Sequence, residues 1–328
     1  MTRTVVVTGA SSGVGRACVR AFADDGCDVA LLARDRQGLE AAAREVIDRG
    51  RRAHLVQVDV ADAAGVEAAA VEVERVLGPV DVWVNNAMTS VFSPFLDMTP
   101  EEFARVVEVT CFGSVYGTRA ALRRMVPRGR GQVVQVGSAL AFRGIPLQSA
   151  YCTATHGLNG FLDSVRAELR HERSPVRVGS VHLPAVNTPQ FDVVRNKLGY
   201  RGQPVAPIYQ PEVAARAVVW LSHHPNRREV WVGVSTVGTI WGGRLAPGLL
   251  DRYLGRTGYA SQQTDEPWPA DTPDYVFDPV PGDRGAHGAF DDKALRRSAQ
   301  LALSMHRRLA GAAALAGVAG WVAARRTR

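Results

Sequence analysis

The chain has 328 residues, 46% of them hydrophobic, and carries 39 Lys and Arg against 32 Asp and Glu, a formal net charge of +7. That length and apolar content can build a sizeable core for one large domain with an extension, which excludes a disordered or fibrous protein. Basic and acidic residues are interspersed along the chain, so we expect a solvated surface and no nucleic-acid partner.

Cysteine usage and the N-terminus bear on the cellular setting. Cys18, Cys27, Cys111 and Cys152 lie in unrelated segments without metal-type spacing. We therefore predict neither a disulfide framework nor a metal site, and a reducing, cytoplasmic setting. The opening "MTRTVVVTGASSG" enters a strand-like run directly, without the features of a signal peptide, so secretion is not expected.

Up to about residue 235, short β-branched runs alternate with Ala-rich amphipathic stretches, which is typical of repeated βαβ units. The predicted strands are "RTVVVT", "DVALLA", "AHLVQV", "VDVWVN", "GQVVQVG", "VRVGSVH" and "EVWVG". The predicted helices include "GRACVRAFADDG", "RQGLEAAAREVIDRG", "AAGVEAAAVEVERVLG" and "PEEFARVVEVTCFGSVYGTRAALRRM". This alternation predicts an α/β fold, a doubly wound parallel seven-stranded sheet of the Rossmann type, in a domain of residues 1–242.

The composition changes after about residue 242. Residues 243–292 form a Pro/Gly-rich extension, and its part from Gly258 to Asp292 is too dense in Pro and Gly for a regular helix, so we expect it to cross the surface. Residues 293–328 predict a C-terminal helix. Its apolar part, Leu309 to Ala324, is short of the roughly 20 residues that a membrane-spanning helix needs. We favour a frayed or packed terminal helix over the alternative, an anchor at a membrane surface.

The first strand ends in "TGASSGVG", and the following residues begin a helix. Glycines in such a turn let backbone N–H groups approach a phosphate, and the helix N-terminus adds a partial positive charge. A Gly/Ser-rich turn can also be purely structural, but its place between a first strand and a first helix favours a nucleotide site. The candidate phosphate-binding residues are Gly9, Ser11, Ser12, Gly13, Val14 and Gly15.

Residues after the second and third strands are candidates for the adenosine half of a dinucleotide. Arg34 ends "LLAR", where an arginine pairs with a 2′-phosphate, so NADP is favoured over NAD. Asp35 follows at once and keeps NAD as the alternative. Asp59 and Val60, after the third strand, are placed to meet the adenine.

The fourth strand ends in "VNNA". Asn85 and Asn86 either bond to the backbone at a strand end or face the cofactor. Beside the glycine turn we favour the second interpretation. Asn86 and Ala87 complete this part of the candidate cofactor site.

The sequence contains, in this order, "TGASSGVG", "NNA", a serine in "VQVGSAL" and a tyrosine thirteen residues after that serine. Together these motifs resemble the short-chain dehydrogenase/reductase family over about residues 1–235. The extension resembles a longer, actinobacterial-type subgroup. The resemblance implies that Ser138 binds the substrate oxygen, that Tyr151 is the general acid or base, and that "LPAVNTP" holds the cofactor carboxamide through Pro184 and Thr188. It also implies a homodimer or homotetramer.

The sequence departs from the family pattern at the proton relay. Thr155 stands where the family has a lysine that holds the nicotinamide ribose and lowers the tyrosine pKa, and Thr110 stands where it has an asparagine. An unperturbed tyrosine has a pKa near 10, so roughly one molecule in a thousand is a phenolate at pH 7. Thr155 supplies no charge, although its hydroxyl can contact a ribose.

Three further residues lie next to the candidate active-site motifs in the sequence. Met88 replaces a family glycine. His156 is five residues after Tyr151 and on another helix face, so we expect it to pack or face solvent and not to replace the lysine. Cys152 is expected to pack.

The leading hypothesis is an NADP-binding oxidoreductase acting on a carbonyl or alcohol of an apolar small molecule. The apolar character is inferred from "MTSVFSPF" and "TPQFDVV". Carbonyl reduction does not require the tyrosine to ionise, as alcohol oxidation does, because a neutral tyrosine already holds the proton to be donated. The missing lysine and asparagine motivate the further hypothesis that hydride chemistry is weak or unusual. The alternatives are non-redox chemistry such as cyclisation, dehydration or isomerisation, and a nucleotide-binding pseudoenzyme.

Overall fold

The computed structural model describes residues 2–269 and 271–306, and a seven-stranded sheet forms its centre. The strands are β1 (Thr4–Thr8), β2 (Asp28–Ala33), β3 (Ala53–Gln57), β4 (Val80–Asn85), β5 (Val91–Phe92), β6 (Gln132–Ser138), β7 (Arg177–Leu183), β8 (Ala185–Val186), β9 (Arg195–Asn196), β10 (Tyr200–Gly202), β11 (Ile208–Tyr209), β12 (Glu229–Trp231), β13 (Gln263–Pro267) and β14 (Ala294–Leu295). The α-helices are α1 (Gly13–Asp24), α2 (Arg36–Asp48), α3 (Ala63–Leu77), α4 (Pro100–Val107), α5 (Gly113–Arg128), α6 (Ser149–His171), α7 (Pro211–Ser222), α8 (Val234–Leu245), α9 (Pro247–Thr257) and α10 (Ala299–Met305).

The strand order of the central sheet is β12-β7-β6-β4-β1-β2-β3, and every pair in it is parallel. The predicted α/β fold and all seven predicted strands are confirmed. The chain order reverses between β1 and β4. In a doubly wound sheet, this reversal opens a crevice at the carboxyl ends of the strands, where ligands bind.

Side chains alternate between two hydrophobic cores, one on each face of the sheet. In β1, Val5 and Val7 lie in the core covered by α1, α2 and α7, whereas Val6 lies in the core covered by α3, α5 and α6. Since helices cover both faces, the central strands are apolar throughout instead of alternating with polar residues.

A five-residue π-helical turn, Glu108–Phe112, joins α4 to α5. Such turns insert an extra residue into the helical ladder and often occur at functional sites. Thr110, the residue at the family's asparagine position, lies in this turn.

The residues after β12 wrap back onto the domain. Of the residues between α9 and α10, Val276, Ala286 and Phe290 are buried. The short strand β13 pairs with β10, and β14 pairs with β11. Within the described ranges no helix is long and apolar enough to cross a membrane. Most of the predicted C-terminal helix, including Leu309 to Ala324, lies outside the described residues.

Candidate active site

The turn between β1 and α1 is built on close backbone contacts that only glycine permits. Gly9 and Gly13 have positive φ angles of 65° and 57°. A Cβ atom on Gly15 would lie 2.0 Å from the carbonyl oxygen of Gly9, so the first turn of α1 packs directly on the end of β1. The glycines therefore allow the tight turn that joins β1 to α1.

The end of β4 is tied to the same turn. The hydroxyl of Thr8 accepts the backbone N–H groups of Asn86 and Ala87 at 2.9 and 3.0 Å, and the Asn86 side chain donates to the carbonyl oxygen of Thr8 at 3.0 Å. Asn85 differs from its neighbour. Its side chain is buried, accepts the Trp83 indole N–H and donates to α5, so it is a structural residue of the core.

One cavity of about 680 Å³ is lined by the residues after β2, by the glycine turn and by the start of α6. It brings together almost all of the residues that the sequence singles out. Those lining it are Gly9, Ser11, Ser12, Gly13, Val14, Arg34, Asp59, Val60, Asn86, Ala87, Thr110, Ser138, Tyr151, Thr155, Pro184 and Thr188. Gly15 does not line it, and its contribution is the close packing of α1.

At one end of the cavity, Arg34 and Asp35 follow β2. The two carboxylate oxygens of Asp35 accept the backbone N–H groups of Gln37 and Gly38, each at 3.1 Å, and so cap α2. Arg34 donates to the carbonyl oxygens of Tyr275 and Phe277. Burial lowers the pKa of Arg34, which nevertheless stays a cation because guanidinium is so weakly acidic.

Asp59 lies beside this arginine and forms an ion pair with Arg105. Burial raises the pKa of Asp59, but the N–H of Ala61 and the Arg105 guanidinium outweigh burial and hold it below its usual value. The carboxylate therefore remains ionised and balances the positive charges around it.

Ser138 and Tyr151 meet at the other end of the cavity, one at the end of β6 and the other in the first turn of α6. Both residues line the cavity, and Ser138 is close enough to influence the pKa of Tyr151. Burial raises the pKa of Tyr151, the hydrogen bond from Ser138 lowers it, and the net result is a pKa of about 12. The phenol is consequently protonated at neutral pH.

Thr155 lies one turn beyond Tyr151, and its side chain contacts backbone. Its hydroxyl lies 3.0 Å from the carbonyl oxygen of Tyr151 and 3.2 Å from that of Leu140. The Thr110 hydroxyl donates to the carbonyl oxygen of Thr89 and accepts the N–H of the same residue, both at 3.1 Å. Both threonines line the cavity while their hydroxyl protons are committed to the main chain.

His156 is exposed, with Nδ1 2.8 Å from the carbonyl oxygen of Cys152, which is itself buried. The expectation that His156 packs or faces solvent is confirmed, as is the expectation that Cys152 packs. His182 is a further buried residue beside the pair, on the strand next to Ser138. Burial lowers the pKa of His182 to about 4, so the ring is neutral and packs edge-on against Phe142 at 4.7 Å between centroids.

The sequence did not predict that the extension forms part of the cavity wall. The cavity is also lined by Tyr275, Pro279, Val280, Gly282 and Arg284, all from the segment between α9 and α10. No periodicity marks these residues. The one available signal is that a Pro/Gly-rich segment cannot form a core by itself and must lie on another surface.

The sequence model described as short chain dehydrogenase matches residues 3–199, more than half of the chain. The chain belongs to the short-chain dehydrogenase family. An uncharacterised oxidoreductase of Bacillus subtilis, YxnA, is 32% identical over 99% of this chain and 91% of its own length. Dehydrogenase/reductase SDR family member 7B of Bos taurus is 35% identical over 76% of this chain and 79% of its own.

Solved short-chain dehydrogenase structures have the same fold. An alcohol dehydrogenase from Thermococcus sibiricus, complexed with 5-hydroxy-NADP, superposes with a TM-score of 0.61 at 27% identity, over 71% of this chain and 96% of its own. A metagenomic short-chain oxidoreductase in complex with NADP gives a TM-score of 0.60 at 29% identity, over 70% and 96%. The family resemblance is confirmed, and the chain is an oxidoreductase of that family. The actinobacterial-type subgroup stays a prediction.

Proposed function

We propose that the protein is an NADP(H)-dependent oxidoreductase that reduces the carbonyl group of an apolar small molecule. The observation that carries this proposal is the Ser138–Tyr151 pair at the end of the cavity, with the pKa of Tyr151 raised to about 12. In this assignment Ser138 orients the substrate oxygen, and Tyr151 donates its phenolic proton to it.

The protonation state of Tyr151 sets the preferred direction. With a pKa of about 12, roughly one tyrosine in a hundred thousand is ionised at pH 7. Reduction needs the protonated phenol, whereas oxidation needs the phenolate as base. A bound nicotinamide cofactor would supply the hydride for the reduction.

The residues around the cavity fit such a cofactor. The cavity of about 680 Å³ is lined by Arg34 at one end and Tyr151 at the other, with the glycine turn also in its lining, as an elongated dinucleotide requires. We propose NADP over NAD because Arg34 is a cation at the adenosine end, while both carboxylate oxygens of Asp35 are engaged in capping α2. The neighbours complexed with NADP or its derivative support a nicotinamide cofactor.

The substrate end of the cavity supports an apolar ligand. Its lining includes Phe92, Leu140, Ile145, Phe191 and Leu254. Two of these residues come from the stretches from which an apolar substrate is predicted. Burial of hydrocarbon surface against such a wall favours binding without fixing the identity of the substrate.

We propose that the relay is atypical, with Thr155 and Thr110 unable to stabilise a phenolate. Neither side chain is charged, and their hydroxyl protons are directed at backbone carbonyls. The consequence is slow alcohol oxidation, with reduction less affected. No contact in the described part of the chain favours a non-redox reaction over this one.

We propose a cytoplasmic homo-oligomer with a catalytic domain of residues 1–242, an extension of residues 243–292 and a terminal helix. All four cysteines are free, which suits a reducing compartment. The exposed Phe112 at the start of α5 offers an apolar contact for a second copy.

Calorimetry with NADPH and with NADH, combined with turnover of a panel of apolar ketones, tests the proposal. We expect wild type to bind NADPH more tightly and to reduce at least one ketone. Tyr151→Phe should lose about 10²- to 10⁴-fold in turnover with its NADPH affinity unchanged. Tyr200→Phe, a change at an exposed tyrosine, is the control. Failure of wild type to bind either cofactor, or full turnover by Tyr151→Phe, contradicts the proposal.

A further inference from the structure

The roof segment, defined here as residues 274–288 of the extension, crosses the groove in which a dinucleotide would lie. At one end of the groove, Arg34 donates to the carbonyl oxygens of Tyr275 and Phe277, the latter at 2.6 Å. At the glycine turn, the carbonyl oxygen of Gly285 accepts the N–H of Gly13 at 3.0 Å. The segment therefore spans from the adenosine end to the glycine turn.

Further contacts hold the roof segment in place. Val276 is fully buried, and its carbonyl oxygen accepts Arg105 Nε at 3.0 Å. Asp283 lies 3.4 Å from the buried guanidinium of Arg16, which itself donates to the carbonyl oxygen of Ser11 in the glycine turn. Both ends of the roof segment are thus fixed to the dinucleotide-binding half of the domain.

Arg284 lies between these fixed points and lines the cavity. Its Nε atom is buried, and in residues 2–269 and 271–306 its guanidinium has no hydrogen-bond or ion-pair partner. Arg284 as a whole is half-buried, but burying its Nε–H without a partner is unfavourable, and an anion is the usual partner of such a donor. The free guanidinium in this cavity points to an anionic ligand.

The position of Arg284 identifies which anion. The carbonyl oxygen of the neighbouring Gly285 already accepts the N–H of Gly13, so this N–H is not free to bind a phosphate. A phosphate group at the glycine turn therefore needs another hydrogen-bond donor. Arginine binds phosphate through charge-assisted, often paired hydrogen bonds. Arg34, the other arginine of the groove considered for phosphate, lies at the far end beside the ribose position.

We propose that Arg284 binds the diphosphate of the dinucleotide and that the roof segment forms the outer wall of the cofactor site. This inference rests on the proposed function, because it assumes that a nicotinamide dinucleotide occupies the groove. It assigns to the extension a direct role in cofactor affinity. The wall closes over the bound diphosphate and shields it from water, which strengthens the ion pair.

The test compares Arg284→Gln, Arg284→Lys and the control Arg297→Gln, which changes an exposed arginine just before α10. Calorimetry with NADPH should give an affinity about tenfold to a hundredfold weaker for Arg284→Gln, an intermediate value for Arg284→Lys and no change for the control. Thermal melts of all variants report whether the fold is retained.

Two fragments locate the contact. Adenosine 5′-diphosphate contains the diphosphate, and adenosine 2′-monophosphate does not. We expect Arg284→Gln to weaken binding of the first and to leave the second unchanged.

The inference is overturned if Arg284→Gln binds NADPH like wild type, or if both fragments lose affinity equally. Wild type that binds neither NADPH nor NADH overturns the proposed function, and this inference with it. A wild type that binds NADPH while Arg284→Gln is unaffected leaves the proposed function intact and removes only the role of Arg284.

Discussion

The hydroxyl oxygen of Thr155 lies 3.0 Å from the backbone carbonyl oxygen of Tyr151, so the residue one turn after the tyrosine contacts its main chain and not its phenol. The same hydroxyl lies 3.1 Å from the carbonyl oxygen of Cys152. A hydroxyl has one proton to donate, and these carbonyls compete for it. The threonine therefore supplies neither charge nor a free donor to the catalytic phenol.

A lysine at this position should restore the missing charge. Thr155→Lys places an ammonium near Tyr151, which favours the phenolate and lowers its pKa, by at least about one unit. We expect alcohol oxidation at pH 7 to rise about tenfold, and the inflection in its pH–rate profile to move to lower pH.

The matched control for this substitution is Thr153→Lys, because Thr153 is exposed on the same helix but two residues from Tyr151 and so on another face. Its profile should match that of wild type. If Thr155→Lys remains folded and its inflection does not move, charge at this position does not tune Tyr151.

Arg34 should determine the choice between the two nicotinamide cofactors. Arg34→Ala removes the cation proposed to face the 2′-phosphate, so the NADPH dissociation constant should rise about tenfold or more, with that of NADH changing by less than about threefold. Arg36→Ala, which changes an exposed arginine two residues on, should leave both constants unchanged. Equal losses for NADPH and NADH would assign Arg34 a role in fixing the roof segment instead.

Two glycine-to-alanine substitutions should act in opposite directions. In Gly15→Ala, the new methyl group would clash with the Gly9 carbonyl oxygen at 2.0 Å, so the glycine turn must move and both stability and NADPH affinity should fall. In Gly160→Ala, the methyl group meets nothing within 4 Å on an exposed part of α6, so stability should rise by up to about 1 kcal/mol. Urea unfolding measures the stability of both variants. An unchanged stability in Gly15→Ala would show that the turn can relax.

Arg16 should be a major electrostatic contributor to stability near the cofactor site. Its side chain is 2% exposed, pairs with Glu45 at 2.9 Å and donates to the carbonyl oxygen of Gly38 at 3.0 Å. Arg16→Met removes the donor to the Gly38 carbonyl oxygen and one of the two arginines that pair with Glu45. We expect a loss limited to about 2 kcal/mol in urea unfolding, because Arg20 still pairs with Glu45. Arg36→Met, at an exposed ion pair, should change stability by less than about 0.5 kcal/mol.

The same cluster gives the stability a pH dependence. Burial raises the pKa of Glu45, but hydrogen bonds from Arg20 and Arg16 outweigh burial and lower it to about 2. Because the folded pKa lies below the unfolded value of about 4.3, the stabilisation is present above pH 4.3 and is lost as pH falls towards 2. Glu45→Gln should flatten the decline of the urea midpoint between about pH 5 and 2. An unchanged slope would mean that other carboxylates dominate acid unfolding.

The central fold was predictable because its signals are local. The alternation of β-branched runs with amphipathic stretches located all seven strands of the sheet, and the turn glycines marked the crevice end of β1. Ser138 and Tyr151 were found through their order and spacing in the family pattern. The surroundings of each asparagine side chain were not predictable. Asn85 and Asn86 are adjacent and chemically identical, yet Asn85 bonds within the core and Asn86 lines the cavity.

The sequence alone determined the sheet, the glycine turn and the serine–tyrosine pair, since each depends on periodicity or on residues close together in the chain. Only the tertiary structure decided what the two threonine hydroxyls contact and where the extension lies. Gly13 and Gly285 are distant in sequence, yet they share a hydrogen bond at 3.0 Å. The roof segment, which contains Gly285, follows an irregular path set by contacts with the folded domain, and no repeating pattern of residues encodes such a path.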